Sequence, residues 1–145
     1  MAAKDEEEFR KLSVELRYFE QTAEAIQSRV NMVNAAIADL TYASATLEGL
    51  EKEKEDSELL VPVGGSSFVR AKLANPDKVI VGVGAGVSIE KTLPEAKEVT
   101  KKRLDDLNKT RASLHQQFVQ VAGKINEDRE KIETIIAKAR QEKTP

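Results

Sequence analysis

Apolar residues recur at alternating spacings of three and four at both ends of the chain. In the N-terminal half the stripe reads Phe9, Leu12, Leu16, Phe19, Ala23, Ile26, Val30, Val33, Ile37, Leu40, Ser44 and Leu47. In the C-terminal half it reads Leu104, Leu107, Arg111, Leu114, Phe118, Val121, Ile125, Asp128, Ile132, Ile135 and Ala139. Such a stripe is buried only against another helix, so each half predicts one strand of a coiled coil. The partner at hand is the other half of the same chain.

The pattern predicts a single α+β domain over residues 1–145: a first helix over about 5–56, strands within 59–92 and a second helix over about 93–141. Thr92 is the expected N-cap of the second helix, and Pro94 suits its first turn. Between the helices the periodicity changes, β-branched residues dominate, and most of the Gly and Pro appear. Leu59 to Val63 and Ser67 to Leu73 read as strands joined by Gly64-Gly65-Ser66. Lys78 to Val83 and Val87 to Thr92 read as a second pair joined across Gly84-Ala85-Gly86, with a turn at Ala74-Asn75-Pro76-Asp77 between the pairs. The expected architecture is an antiparallel coiled-coil hairpin with two β-hairpins inserted at its bend.

In an antiparallel pair, facing core residues have numbers with a constant sum. A sum of 151 sets Leu16 against Ile135, Phe19 against Ile132, Ile26 against Ile125, Val30 against Val121, Val33 against Phe118, Ile37 against Leu114 and Leu47 against Leu104. It leaves two polar layers, Asp128 against Ala23 and Arg111 against Leu40, which read as devices that fix alignment, the alternative being local splaying near the open end. At the terminal end it sets Phe9 against Glu142 and Leu12 against Ala139. Phe9, Leu12, Leu16, Ile135 and Ile136 are then poorly covered and are candidate contacts for apolar segments of other proteins.

Composition narrows the function. A third of the residues are charged, Trp and Cys are absent, and the net charge is −2. A narrow seam suits this composition better than a compact core, and no basic stripe speaks for nucleic acid. Without Cys there is no disulfide framework, thiol nucleophile or thiolate metal site. No apolar run suggests a signal peptide or a membrane span, so the expected location is cytoplasmic.

Candidate catalytic chemistry does not assemble. Gly82-Val83-Gly84-Ala85-Gly86 lacks the sixth-place glycine of a dinucleotide-binding loop, where Val87 stands, and continues as a strand rather than a helix. His115 has no second His or Cys to form a metal site with. Asn108-Lys109-Thr110 lies mid-helix, where a glycosylation acceptor has no use. The carboxylates are spread over solvated helix faces. The reading is a non-enzyme without cofactor or metal.

The strands imply partners. Two-stranded hairpins are marginal in water, and these carry apolar rows with unpaired edges. Val61, Phe68, Val69, Leu73, Val79, Val81, Val87 and Ile89 are the candidate oligomerisation residues, most simply by continuing the sheet into a shared barrel.

The order helix, two β-hairpins, helix resembles the α-class subunit of prefoldin. The segment that carries the resemblance is Leu60-Val61-Pro62-Val63-Gly64-Gly65-Ser66-Ser67-Phe68-Val69, then Ala71, Leu73, Val81-Gly82-Val83-Gly84-Ala85-Gly86-Val87 and Glu90-Lys91. Two hairpins rather than one are the family's mark of the α class, and the short chain looks archaeal. The resemblance implies a heterohexamer of two α and four β subunits with a double β-barrel base. It further implies an ATP-independent holdase that grips unfolded clients at its coiled-coil tips and passes them to a group II chaperonin. The rival reading is a purely structural coiled-coil spacer or filament-forming protein.

Overall fold

In the computed structural model, which describes residues 2–143, the chain order is α1 (Ala3–Glu51), β1 (Glu58–Gly64), β2 (Ser67–Lys72), β3 (Lys78–Gly84), β4 (Val87–Thr92) and α2 (Leu93–Glu142). Among the described residues the strands form two separate antiparallel sheets, β1 with β2 and β3 with β4. Among the described residues no helix is long and apolar enough to cross a membrane.

Helix α1 stops at Glu51, short of the expected Asp56. Beyond Gly49 the residues Lys52-Glu53-Lys54-Glu55 offer the seam nothing to bury. The chain instead tightens into short-range hydrogen bonds, Lys52 N to Gly49 O and Glu53 N to Leu50 O, and reverses at Asp56 with φ +65°. Helix α2 starts without a loop after β4. Glu95 N donates to Thr92 Oγ1 at 3.3 Å and Thr92 N donates to Glu95 Oε2 at 3.4 Å, a reciprocal capping box.

The chain divides into two compact units. The helical unit comprises α1 up to Ala35 and α2 from Lys109. The hairpin unit runs from Ala36 to Asn108.

In the helical unit, Leu12, Ile26, Leu114, Ile125 and Ile135 are buried, while Leu16, Phe19, Val30, Val33, Phe118, Val121 and Ile132 are half-buried. Half-burial is the geometry of a two-helix seam, which has solvent along both flanks. Three contacts set the register: Arg129 Nη2 donates to Glu20 Oε1 at 2.9 Å, Arg111 Nη1 to Asn34 Oδ1 at 3.3 Å, and Lys138 Nζ lies 3.4 Å from Asp5 Oδ2. These pairs sum to 149, 145 and 143. Side chains lean toward the N-terminus of their own helix, so on antiparallel helices their ends meet on average somewhat above the sum of the facing backbones, and the three contacts average about 146. The facing sum is therefore close to 144, one heptad below the expected 151. Asp5 agrees: its side chain is only 17% exposed. At 151 it would face position 146, beyond the end of α2 at Glu142, whereas at 144 it faces Ala139.

This register corrects the expected pairings. Phe9 falls opposite Ile135 instead of Glu142, Leu12 opposite Ile132 instead of Ala139, Asp128 opposite Leu16 instead of Ala23, and Arg111 opposite Val33. The expectation of a poorly covered terminal end is overturned with it. Leu12 and Ile135 are each 8% exposed, and Phe9, Leu16 and Ile136 are half-buried.

In the hairpin unit, Leu93, Ala96 and Thr100 are buried, and the Thr100 hydroxyl donates to Ala96 O at 3.0 Å. Ile37, Leu40, Leu47, Leu104 and Leu107 are half-buried. Lys97 Nζ lies 2.8 Å from Glu51 Oε1. The end of α1 at Glu51 and the start of α2 at Leu93 independently sum to 144.

Candidate functional site: the β-hairpins and the terminal seam

The two hairpins are built alike, twenty residues apart. Leu60 pairs with Arg70 and Pro62 with Phe68 in one, and Ile80 pairs with Glu90 and Gly82 with Ser88 in the other. Each closes through two residues at positive φ, Gly65 (+55°) with Ser66 (+59°) and Ala85 (+51°) with Gly86 (+73°). Both central residues left-handed is the I′ turn, whose twist matches that of the strands. A register shift precedes each turn, at Gly64 (φ +101°) and Gly84 (φ +107°).

Alternation gives each hairpin two faces. One carries Leu59, Val61, Val69 and Ala71 in the first hairpin and Val79, Val81, Ile89 and Lys91 in the second. The other carries Leu60, Pro62 and Phe68 in the first hairpin and Ile80 in the second. Val79 and Val81 line a groove with Leu40, Leu47 and Ala96, so the second hairpin leans on the helices of its own unit. Arg103 fastens it there, its Nη2 donating to Gly82 O at 2.6 Å. The turn between the hairpins is tied at both ends, Leu73 N to Ser57 O at 2.9 Å and Leu93 N to Asp77 O at 2.9 Å.

Of the oligomerisation residues expected from sequence, Val61, Phe68, Val69, Val87 and Ile89 are exposed. Leu73, Val79 and Val81 are half-buried within their own unit. The sequence reading passed over the most exposed ones: Ile80 is 79% exposed, and Leu60 matches it on the first hairpin at 65%. Their signal was available, since each sits opposite a charged residue, on the face away from the valine row. Val14, Tyr18 and Met32 on α1, outside the seam, are likewise large and exposed and went unnoticed. Scattered apolar residues on a surface are ordinary; apolar rows on both faces of two-stranded sheets are not. They fit a surface that continues into other chains.

The family model described as prefoldin subunit matches residues 19–142. This chain belongs to the prefoldin family. The prefoldin subunit alpha of Methanococcoides burtonii is 33% identical, over 86% of this chain and 91% of the relative. That of Methanosarcina barkeri is 40% identical, over 75% of this chain and 78% of the relative. Among solved structures, the filamentous PFD of Methanocaldococcus jannaschii superposes with a TM-score of 0.67 at 31% identity, covering 77% of this chain and 92% of that one. Prefoldins are chaperones, and their α subunits assemble into oligomers with other prefoldin subunits.

The terminal seam holds the residues expected to touch clients. Phe9, Leu12, Leu16, Ile135 and Ile136 come together at one end of the helical unit, closed by Lys138 and Asp5. Farther in, Asp128 is 2% exposed and its Oδ2 has no hydrogen-bond partner. Among the described residues no group of three or more His, Cys, Asp or Glu side chains is placed to hold a metal ion.

Proposed function

We propose that this chain is the α-class subunit of a heterohexamer of two α and four β-class subunits, acting as an ATP-independent holdase in the cytoplasm. The observation that carries the assembly is the pair of hairpins with apolar residues exposed on both faces, led by Leu60, Phe68 and Ile80. Such hairpins gain stability by extending into a barrel shared with neighbours. Several helical units held by one base would convert weak apolar contacts at Phe9, Leu12, Leu16, Ile135 and Ile136 into firm capture of an unfolded chain. The client then passes to a group II chaperonin. The reading assigns no catalytic step and no cofactor.

The test is to mix the chain with a β-class prefoldin subunit, measure the native mass, and assay aggregation of a denatured client without ATP. A mass of two α and four β chains with suppressed aggregation is expected. An assembled particle that leaves aggregation untouched ends the holdase reading.

A second reading has one observation in its favour. The solved relative from Methanocaldococcus jannaschii is filamentous, so this chain alone would build spacers or filaments through the same hairpins. Filaments that form without a β-class subunit, and hold no client, favour that reading.

A further inference from the structure

Within the helical unit, α1 carries a second stripe. On the side away from the seam, Val14, Tyr18, Gln21, Ala25, Ser28 and Met32 follow one another at alternating spacings of four and three, and none is charged. All are exposed, Val14 at 69%, Tyr18 at 64% and Met32 at 70%. The corresponding outer positions of α2 hold Lys109, Gln116, Gln120, Glu127 and Glu130, as a face left to water should. Singly, the exposed residues of α1 are ordinary; at heptad spacing they make a surface for another helix. We infer that this outer face pairs with the same face of a second copy of the chain, the two α1 helices running parallel and in phase. The contact lies outside the β-hairpins and is separate from the assembly proposed through them.

The residues that flank the stripe select the partner. In a parallel, in-phase pair, flanking residues five apart in number meet across the interface. Here that sets Arg10 against Glu15 and Glu24 against Arg29, each twice by symmetry, with Arg17 against Thr22 between them. Opposite charges meet along both flanks, and like charges nowhere. Arg10, Glu15, Glu24 and Arg29 are exposed, and among the described residues none forms an ion pair or side-chain hydrogen bond within its own chain. By contrast Asp5 and Glu20, which face the other helix, are taken by Lys138 and Arg129. Arg10 and Glu15 border the shallow depression that Val14 and Tyr18 line, so charge and apolar surface form one patch.

Other pairings of the same face fit less well. An antiparallel pair that sets Met32 on Val14 brings Glu24 against Glu24 of the second copy. One heptad lower, Met32 falls on Glu7; one heptad higher, Val14 falls on Asp39. The parallel pair sets Val14, Tyr18 and Met32 each on its own counterpart, while Ala25 and Ser28 between them are small enough to let the helices approach. A non-native client has no fixed order of charges to match these four flanking residues, so their complementarity favours a copy. Gln21 and Ser28 keep the apolar content of the stripe low, and the pairing is correspondingly weak and reversible.

The test is disulfide cross-linking of the full-length protein, which has no cysteine of its own. Ser28→Cys puts one thiol at the interface, and mild oxidation should give a covalent dimer on a denaturing gel. Gln116→Cys, on the outer face of α2, should give little. Two charge variants made in Ser28→Cys identify the partner: Arg10→Glu with Arg29→Glu, and Glu15→Arg with Glu24→Arg. Each alone sets like charges together and should slow cross-linking about tenfold, with helix content by circular dichroism unchanged. Mixed in equal amounts, the two restore opposite charges along both flanks, and mixed dimers should form at the original rate. Equal cross-linking of the Ser28→Cys and Gln116→Cys proteins overturns the inference, as does a rate that ignores the charge changes. So does a Tyr18→Ser, Met32→Ser variant that holds less denatured client while Ser28→Cys stays uncrosslinked, since the stripe then takes clients and not a copy.

Discussion

Lys138 closes the helical unit over Asp5, its Nζ 3.4 Å from Oδ2, with the aspartate only 17% exposed and the lysine largely in water. The aspartate lies at a seam position in the first turn of α1, where a negative charge suits the helix dipole. Such a half-exposed pair is worth about 0.2–1 kcal/mol. Asp5→Ala should leave the melting temperature within a degree or two and speed amide exchange in residues 3–10 and 134–142. A drop of several degrees would mean that the pair anchors more than the helix ends.

Arg103 ties α2 to the second hairpin through Gly82 O at 2.6 Å. A hydrogen bond from a charged donor contributes about 1.5–3 kcal/mol when sheltered, and less here because the bond is exposed. Arg103→Met keeps the aliphatic stem and removes the bond. Amide exchange across Val79 to Lys91 should then accelerate with α2 unchanged, and subunit assembly should require higher protein concentration. Equal exchange in the two proteins would show that the valine packing alone holds the hairpin.

The elements were legible because their signals are local. Period 3.5 marked the helices, and Gly64-Gly65-Ser66 and Gly84-Ala85-Gly86 marked the turns. The register was not legible, for a physical reason: shifting one helix by seven residues again places apolar stripe positions opposite one another. What breaks that degeneracy lies outside the stripe. The polar run Lys52 to Glu55 and the turn at Asp56 end α1 at Glu51, and β4 runs straight into α2 at Leu93, so the helix limits impose a sum of 144. The error carried to the candidate client site, where Phe9 and Leu12 were left facing Glu142 and Ala139. On the hairpins, the valine row drew attention from Leu60 and Ile80, whose exposure depends on which face leans on the helices.

Replacing glycine by alanine should have opposite effects at two sites that are equally open, since an added Cβ meets nothing within 4 Å at either. Gly123 lies inside α2, where alanine gains about 1 kcal/mol in helix propensity. Gly84 sits at φ +107°, where a side chain is strained by about 1–3 kcal/mol. Gly123→Ala should raise the melting temperature of the assembled protein, and Gly84→Ala should lower it. A rise with Gly84→Ala would mean the second hairpin abandons its bulge at little cost.

The capping box predicts that Thr92→Ala costs about 1 kcal/mol, because the amide of Glu95 loses its acceptor. Thr92→Asp keeps an acceptor and should restore most of that stability, measured by chemical denaturation. Equal losses for the two variants would place the role of Thr92 in β4 instead, where it pairs with Lys78.

The surface that needs other chains makes the sharpest forecast. Phe68 is 60% exposed and Ile80 79% exposed, so neither contributes much burial within its own chain. Replacing either with Ser should cost the isolated chain under about 0.5 kcal/mol, as for surface positions in general. In an assembly each would be covered, and the loss grows to about 1.5–3 kcal/mol for a fully buried large apolar side chain. Ser forms with unchanged helix content but weakened oligomers, read by native mass at graded concentrations, are therefore expected. If Phe68→Ser and Ile80→Ser assemble as well as wild type, this face of the hairpins lies outside the shared barrel, and the valine row with Val61, Val69 and Ile89 must carry the interface alone.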